Sequence, residues 1–304
     1  MAKQRIGYLR ARISEAAVIQ SNPGLSLSRQ ALKRLRILHG FSRQKWDSKG
    51  YFRDALSGTR ELGRSREGRE ALVIANGHST NRLNVDGVLE AMNVGMDVYG
   101  LNLYLLSELG RRVTPTHYVL SDPLHHPDHS DDLAKNLWVA LDKHPEVQLV
   151  VPHDWHPALK ERRPSSLYFN NCHLQGWTKN NSPLKAMGYI GLTAYKALAF
   201  ALHLGYARVN IIGFDNSNYL NYRVDESNEI YFEGDTHFYA SNSVAVNVSR
   251  MYSQGMADCL FDYSLCLLDL ERCFKDSPIV NLDLQSLTRA FPKEADVRLV
   301  LPNG

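Results

Sequence analysis

Short apolar segments alternate along this chain with longer helical stretches, and a polar residue follows most of the apolar segments. The predicted strands are 71–75, 97–101, 116–120, 147–151, 209–212 and 279–282. Alanine and leucine dominate residues 192–204, which Gly205 ends, and residues 254–274 form a second long helical pattern. Strands that alternate with helices predict an α/β fold with a Rossmann-like, mostly parallel sheet and helices on both faces.

The residues that follow five of these strands are Asn76, Asn102, Asp122, His153 and Asp215. Parallel α/β sheets bind ligands where the carboxyl ends of the strands open into loops. Asparagine donates and accepts hydrogen bonds, which suits phosphate, ribose or base edges, although asparagine also serves turns and caps. For Asp215, ribose binding and local capping are equally compatible with the sequence. The pattern predicts a nucleotide site whose first wall is the segment 72–79.

Common nucleotide-binding and catalytic motifs are absent from the sequence. There is no G-x-x-x-x-G-K-[ST], no G-x-G-x-x-G after the first strand, no G-x-S-x-G and no Asp-x-Asp. Without Asp-x-Asp, the usual clamp for a metal on a nucleoside diphosphate, a monophosphate donor is favoured. Cysteines 259, 266 and 273 lie on one helical stripe and predict core thiols. Histidines 125, 126 and 129 are interpreted as a surface loop, and no metal site is predicted.

The first 70 residues are strongly basic, with 16 Lys and Arg against 6 Asp and Glu, whereas the remainder has 19 against 26. Residues 27–38 predict an amphipathic helix, and the arginine-rich stretch 57–68 predicts a linker. We therefore expect a basic helical extension over 1–70 and a nucleotide-binding domain over 71–304. The extension either contacts an anionic surface, such as a membrane, or packs across the main domain.

No apolar run approaches the roughly 18 residues of a membrane helix, and the start lacks the apolar stretch of a signal peptide. We therefore expect a cytoplasmic protein, held peripherally at the inner face of the membrane if the basic extension binds lipid. No nucleic-acid partner is predicted, and the sequence leaves homo-oligomerisation open.

The ordered set of polar segments resembles the bacterial lipooligosaccharide sialyltransferases, an inverting family. Its first loop reads Gly-Asn-Gly-Pro-Ser, where this chain has Ala-Asn-Gly-His-Ser at 75–79. Its second strand ends in Cys-Asn, matched by Leu101 and Asn102. Its third strand ends in Asn-Pro-Ser, where this chain has Asp-Pro-Leu at 122–124.

The resemblance continues through the second half of the chain. The family has Thr-Ser-Gly, an alanine-rich helix, Leu-Gly-Tyr, a strand and Ser-Gly-Ile-Asp. This chain has Leu-Thr-Ala at 192–194, Leu-Gly-Tyr at 204–206 and Ile-Gly-Phe-Asp at 212–215. The family's Ser-His-Tyr motif, with its catalytic histidine, corresponds to Thr-His-Phe-Tyr at 236–239, and its Asn-Ser-Leu turn to Gln-Ser-Leu at 285–287. The matching order covers 71–292.

This resemblance implies a single-domain GT-A-like sialyltransferase fold with a lid around 216–245. It implies metal-independent transfer, with inversion, of sialic acid or a related nonulosonic sugar from a CMP-sugar donor to a hydroxyl of a glycan acceptor. His237 would be the general base, a role that suits a neutral imidazole, and no cofactor is needed beyond the donor. The implied donor-binding residues are Asn76, Gly77, Ser79, Asn102, Asp122, Thr193, Gly213, Asp215, Ser217, Tyr219, Tyr222 and Ser286.

Departures from the family pattern modify what the resemblance implies. Asp122 replaces the third-loop asparagine and places a negative charge near the donor. Ser217 replaces the first of two lid tyrosines that hold the leaving phosphate in the family. The remaining candidates for that phosphate are Thr193, Tyr219, Tyr222, Tyr231 and Tyr239. These changes leave two outcomes open, a donor other than ordinary sialic acid or a loss of activity.

Two alternatives stay open. Wider relatives that share the first loop and the Gly-x-Asp turn include proteins resembling pterin diphosphokinases, which would use ATP and a divalent ion. The other alternative is a catalytically inactive binding protein in the assembly of lipopolysaccharide or capsule, with the basic extension as its docking element. Sensitivity of any activity to EDTA and binding of cytidine nucleotides separate the three interpretations.

Overall fold

The computed structural model describes residues 54–176, 178–189, 191–228, 230–232, 238, 249–250 and 256–302. Seven of its strands are β1 Glu70–Ile74, β2 Asp97–Leu101, β3 His117–Val119, β4 Gln148–Pro152, β5 Leu167–Phe169, β6 Arg208–Ile212 and β10 Ile279–Asn281. They form one sheet in the order β10-β6-β1-β2-β3-β4-β5, and every neighbouring pair is parallel. The predicted parallel α/β sheet is confirmed.

The α-helices in the described residues are α1 Ser57–Glu61, α2 Val85–Asn93, α3 Glu108–Arg112, α4 Asp132–Asp142, α5 His156–Leu159, α6 Thr193–Leu204 and α7 Met256–Cys273. Side chains that accept backbone N–H groups begin several of them, as Asn84 does for α2 and Asp131 for α4. Gly205 ends α6 in the left-handed conformation, with φ of 81°. None of the helices in these residues is both long and apolar enough to cross a membrane.

Both faces of the sheet carry a hydrophobic core, because successive strand residues point to opposite sides. Leu72 and Ile74 of β1 belong to a core that includes Leu137 of α4. Ala71 and Val73 belong to the other core, to which α6 and α7 contribute most of their buried residues. Helices therefore cover the sheet on both faces, as the alternating pattern predicts.

The first strand lies where the strand order reverses. From β1 the chain adds β2, β3, β4 and β5 in one direction and then places β6 and β10 on the other side of β1. The loops that follow β1 and β6 are therefore adjacent at the carboxyl edge of the sheet. This reversal is the position at which doubly wound sheets bind their ligands.

The predicted linker over 57–68 is wrong for its first part, which is helix α1 packed on the main domain. The Thr59 hydroxyl is fully buried, donates to the Tyr168 carbonyl at 2.7 Å and accepts from the Tyr168 N–H at 3.1 Å. Beyond α1, Arg66 and Arg69 both pair with the buried carboxylate of Asp97 at 3.3 Å. These arginines are part of the folded body, and the predicted helix at 27–38 lies outside the described residues.

A second, smaller sheet lies within and just beyond the region predicted as a lid. Its strands are β7 Tyr222–Val224, β8 Ile230–Phe232 and β9 Ser249–Arg250, paired antiparallel in that order. On α7, Cys273 is buried and Cys266 is half-buried, as expected of core thiols, while the side chain of Cys259 lies outside the described residues.

Candidate functional site

A cleft of about 460 Å³ opens at the carboxyl edge of the sheet, over the strand-order reversal. The loops after β1, β2, β3 and β6 form most of it, and the first turn of α6 forms the rest. Eight of the predicted donor-binding residues line this cleft, namely Asn76, Gly77, Asn102, Asp122, Thr193, Gly213, Asp215 and Ser217. The parallel topology therefore brings together residues that are up to 141 positions apart in the sequence.

Ser79 joins the loop after β1 to the loop after β6. Its backbone N–H donates to Oδ2 of Asp215 at 3.0 Å, and its hydroxyl donates to Oδ1 of the same carboxylate. The hydroxyl also accepts the N–H of Gly213 at 2.9 Å. Ser79 is buried, and this network holds two walls of the cleft in a fixed relation. Asp215 thus has a structural partner on each oxygen, which supports the capping interpretation of this residue.

Two glycines allow these loops to approach one another. A Cβ on Gly77 would lie 2.6 Å from the Gly213 carbonyl oxygen and 2.7 Å from the Asp215 carboxylate. Gly213 has φ of 79°, and a Cβ there would lie 2.6 Å from the carbonyl carbon of Ala75. No L side chain fits either position without movement of backbone. The Gly-x-Asp turn is therefore required by packing as well as by the site.

Asn76 and Asn102 both line the site, and each has an amide oxygen without a hydrogen-bond partner among the described residues. The Oδ1 atoms of both residues are buried and unpaired among the described residues. The backbone of Asn102 is left-handed, with φ of 51°, and its carbonyl accepts the Tyr118 hydroxyl. Turn geometry accounts for an asparagine at position 102, but it does not account for the unpaired amide oxygen. Neither unpaired oxygen is explained by the described fold, and an N–H or O–H group of a ligand that reaches it would satisfy it.

The amino terminus of α6 lines the cleft and has no side-chain cap. Leu192, the residue before the helix, makes no capping hydrogen bond, so the first N–H groups of a 12-residue helix are left for a ligand or solvent. Beside them the Thr193 hydroxyl lies 2.6 Å from the hydroxyl of Ser121, which also lines the cleft. Helix N–H groups and the helix dipole favour an anion at this position.

Asp122 has a local structural role in addition to its place in the cleft. Its carboxylate accepts the Leu124 N–H at 3.0 Å and begins the short 3-10 helix Pro123–His125. The residue is exposed. The lining residues include Asp122 and Asp215 but no lysine or arginine, so the positive potential among the lining residues comes from the α6 terminus.

Four predicted donor-binding residues do not line the cleft. Ser79 is the brace described above, and Ser286 is 3% exposed with its hydroxyl donating to the Phe214 carbonyl. Tyr219 packs its ring on Tyr263, with centroids 5.1 Å apart, and Tyr222 begins β7. Ser286 thus supports the Gly-x-Asp turn from behind, where the Thr288 N–H donates to its hydroxyl at 3.1 Å.

The predicted general base, His237, and the candidate Tyr239 lie outside the described residues. The residue between them, Phe238, is described: its N–H donates to the Asn76 carbonyl at 2.9 Å. The Phe238 ring packs on Tyr104, with centroids 6.1 Å apart. The middle of the Thr-His-Phe-Tyr segment is thereby attached to the first loop of the cleft.

The histidines of the loop after β3 are not all at the surface as predicted. His125 is buried, and its carbonyl accepts the Trp138 indole N–H at 3.0 Å. His126, in the same loop, packs edge-on against the ring of Trp155. His153, which follows β4, is buried, and its Nδ1 accepts the Asn171 N–H at 3.2 Å. Within the described residues, no group of three His, Cys, Asp or Glu side chains is placed to hold a metal ion.

Lys196 is a functional candidate that the sequence interpretation missed. It lies in α6, is 4% exposed, and places its ammonium 5.3 Å from the centroid of the Phe169 ring. Burial lowers the pKa of this ammonium from 10.5 to about 8, partly offset by the carboxylates of Asp154 and Asp122. The signal was present in the sequence, since a single lysine interrupts an otherwise apolar helical run.

In chemical terms the cleft combines unpaired amide oxygens with hydroxyl and helix N–H donors. The amides suit a base or ribose, and the donors suit a phosphate group. Comparison with known proteins returns no family model, no curated protein and no solved structure that matches this chain.

Proposed function

We propose that this protein binds a cytidine monophosphate sugar in the cleft and transfers a nonulosonic sugar from it to a glycan hydroxyl. One observation carries the proposal: an uncapped helix terminus with the Thr193 and Ser121 hydroxyls shares a cleft with two unpaired amide oxygens. The phosphate would lie at the α6 terminus. The Oδ1 atoms of Asn76 and Asn102 would accept from ribose hydroxyls or from the cytosine amino group.

The transfer step requires a base and a stabilised leaving group. The acceptor oxygen forms a bond to the anomeric carbon while the bond from that carbon to the phosphate oxygen breaks. The acceptor proton passes to a neutral imidazole, for which we propose His237, and the bonding electrons leave with CMP. Helix N–H groups and the Thr193 hydroxyl stabilise the charge that develops on the phosphate. A monophosphate leaving group carries less charge than a diphosphate.

The support for His237 is its sequence position next to Phe238, whose N–H binds the Asn76 carbonyl. If the segment around Phe238 closes over the bound donor, the hydrogen bond from the Phe238 N–H to the Asn76 carbonyl couples that movement to the loop after β1. The small sheet β7-β8-β9 flanks that segment in the sequence on both sides. A lid function for 216–245 is therefore part of the proposal.

A nucleotide screen by thermal shift tests the binding part. CMP, CDP, UDP, GDP and ATP are compared, and CMP is expected to raise the melting temperature most, since ligands that bind only the folded state stabilise it. Thr193→Val should weaken CMP binding by about tenfold or more, because a hydrogen bond to a charged group is lost. Thr193→Ser keeps the hydroxyl and is the matched control. Stabilisation by ATP with Mg²⁺ but not by CMP would instead favour the diphosphokinase interpretation.

The catalytic part is tested separately with His237→Ala. This variant is expected to bind CMP as the wild type does and to lose transfer to a mixed glycan acceptor pool, with turnover unaffected by EDTA. Transfer retained by His237→Ala would remove this residue from the mechanism. Binding of CMP without any transfer by the wild type would favour the inactive binding protein.

A further inference from the structure

Lys196 is a buried cation without a close counter-charge in the part of the chain that the structure describes. Its side chain is 4% exposed, and within the described residues no carboxylate lies within ion-pair distance of its ammonium. Its ammonium lies 5.3 Å from the centroid of the Phe169 ring. A buried ammonium without a paired anion is unfavourable, and an apolar side chain of similar length would fill the same space. Folding alone does not explain this lysine.

The position of Lys196 on α6 connects it to the cleft. Residues three apart lie on the same face of a helix, so Lys196 is one turn beyond Thr193, which lines the cleft. The charged groups that face the ammonium come from three neighbouring loops. Asp122 follows β3 and Asp154 follows β4, and both attract it, while His173 after β5 is repelled by it. Of these, Asp122 also lines the cleft.

A nonulosonic sugar nucleotide carries two adjacent anions. Its anomeric carbon bonds to the phosphate oxygen and also to a carboxylate carbon, so both groups lie within a few ångströms of the reacting atom. A neutral hexose donor has only the phosphate there. The α6 terminus provides one anion site, and Lys196, three residues and about 4.5 Å further along the helix axis, provides a second positive charge. A second positive charge beside the helix terminus suits a donor with two anions better than one with a single phosphate.

We propose that Lys196 binds the carboxylate of the transferred sugar and thereby selects acidic, nonulosonic donors. This inference rests on the proposed function and names a specificity residue for it. The lysine contacts the donor through its ammonium and takes no part in bond making or breaking. Its charge lies beside the reacting carbon, and its removal affects the sugar part of the donor without affecting the nucleotide part.

The experiment is isothermal titration of wild type and Lys196→Met with two probes, CMP and the unreactive CMP-3-fluoro-N-acetylneuraminic acid. For CMP the two proteins should agree within about twofold. For the acidic sugar nucleotide, Lys196→Met should bind about tenfold to a hundredfold more weakly, the effect of losing a hydrogen bond to a charged group. Lys185→Met changes an exposed lysine outside the cleft and is the matched control, expected to equal wild type for both probes.

A second readout uses pH, since loss of the ammonium proton removes the proposed interaction. Affinity of the wild type for the acidic sugar nucleotide should fall as pH rises above about 8, and the affinity of Lys196→Met should not. The CMP titration at each pH reports any change that His173 or the fold contributes.

The outcomes separate a failure of the carboxylate role of Lys196 from a failure of the proposed function. Equal loss of affinity for both probes would place Lys196 at the phosphate and overturn the carboxylate assignment. Unchanged affinity for both would overturn it too, while the nucleotide site would stand. If wild type binds neither probe, the proposed function fails and this inference fails with it. Because CMP binding itself reports an intact cleft, a folding defect in Lys196→Met appears as loss of CMP binding and melting temperature together.

Discussion

The hydroxyl and backbone N–H of Ser79 bind both oxygens of the Asp215 carboxylate and so join two loops that are 136 residues apart. One loop follows β1 and the other follows β6, the neighbouring strands at which the strand order reverses. The same hydroxyl accepts the Gly213 N–H. Together with the backbone hydrogen bond from the Gly77 N–H to the Gly213 carbonyl, this side chain holds the loop that carries Asn76 against the Gly-x-Asp turn.

Ser79→Ala should destabilise the fold and weaken nucleotide binding. Removing the hydroxyl leaves the Gly213 N–H without its acceptor and Asp215 with one donor fewer. Loss of a partner to a buried polar group costs roughly 1–3 kcal/mol. The free energy of unfolding in urea measures the effect. Ser227→Ala, at an exposed position, is the control and should change little. Equal stability of the two variants would show that the brace contributes nothing.

Gly213→Ala should cost more stability than Gly68→Ala, although both glycines have nearly the same backbone conformation. Gly68 has φ of 77° with nothing within 4 Å of a Cβ, whereas a Cβ on Gly213 would meet the Ala75 backbone. Left-handed backbone alone costs an alanine roughly 1–2 kcal/mol, and the clash should add about 1–3 kcal/mol at position 213. Urea unfolding of both variants isolates the clash. Equal destabilisation would mean that the loop moves freely to accept a side chain.

His117 should make the protein sensitive to acid. Burial lowers the pKa of this imidazole from 6.5 to about 4, against the attraction of Asp97. Because the folded state binds the proton more weakly than the unfolded chain, stability is fully present above pH 6.5 and is lost as pH falls towards 4. The loss attributable to this group is about 3 kcal/mol.

The comparison is made with His117→Leu, in which that titration is absent. Between pH 7 and pH 4, the unfolding free energy of the wild type should fall by about 3 kcal/mol more than that of the variant. Although the variant also loses the stacking of His117 on Tyr99, whose ring centroid is 4.5 Å away, that loss does not vary with pH. A pH-independent difference would contradict the prediction.

Lys196→Met should raise stability at pH 7 even if it reduces donor binding. The folded-state pKa of about 8 lies below the ordinary value of 10.5, so the folded state holds this proton more weakly than the unfolded chain. The destabilisation that the buried ammonium causes is fully present below pH 8 and disappears as pH rises to 10.5. The variant should therefore exceed wild type by up to about 3 kcal/mol at pH 7, with the gap closing above pH 8. Unfolding in urea at several pH values measures it, and a gap that stays constant with pH would be inconsistent with a buried charge.

The sequence predicts the sheet because its signal is local. Each strand pattern and each following polar residue occupies a few consecutive positions, and six strands were placed within one or two residues of their bounds. β5 was missed because its apolar signal, Leu-Tyr-Phe, stands alone between the polar stretch Arg162 to Ser166 and two asparagines. The linker interpretation of 57–68 failed for another reason. Its arginines suggest solvent, but one of them, Arg66, pairs with Asp97, which lies about 30 residues away in the sequence.

For the site, the predicted residues cluster wherever strand topology alone decides their position. Asn76, Asn102 and Asp122 follow parallel neighbours, so they reach one edge of the sheet whatever the details of packing. Ser286 was misplaced because the Gly-x-Asp turn lies between it and the cleft, and only tertiary structure shows that its hydroxyl binds the Phe214 carbonyl. The brace between Ser79 and Asp215 is equally invisible in the sequence.

The distance in sequence between the two braced loops has a consequence for how the protein is made. A nascent chain that has emerged only to α6 already carries both asparagines and the helix terminus, but it lacks β6 and the carboxylate that fixes the first loop. Under the proposed function, we therefore expect ligand affinity to be absent from fragments that end before β6. Nucleotide binding would then report that β6 has paired with β1.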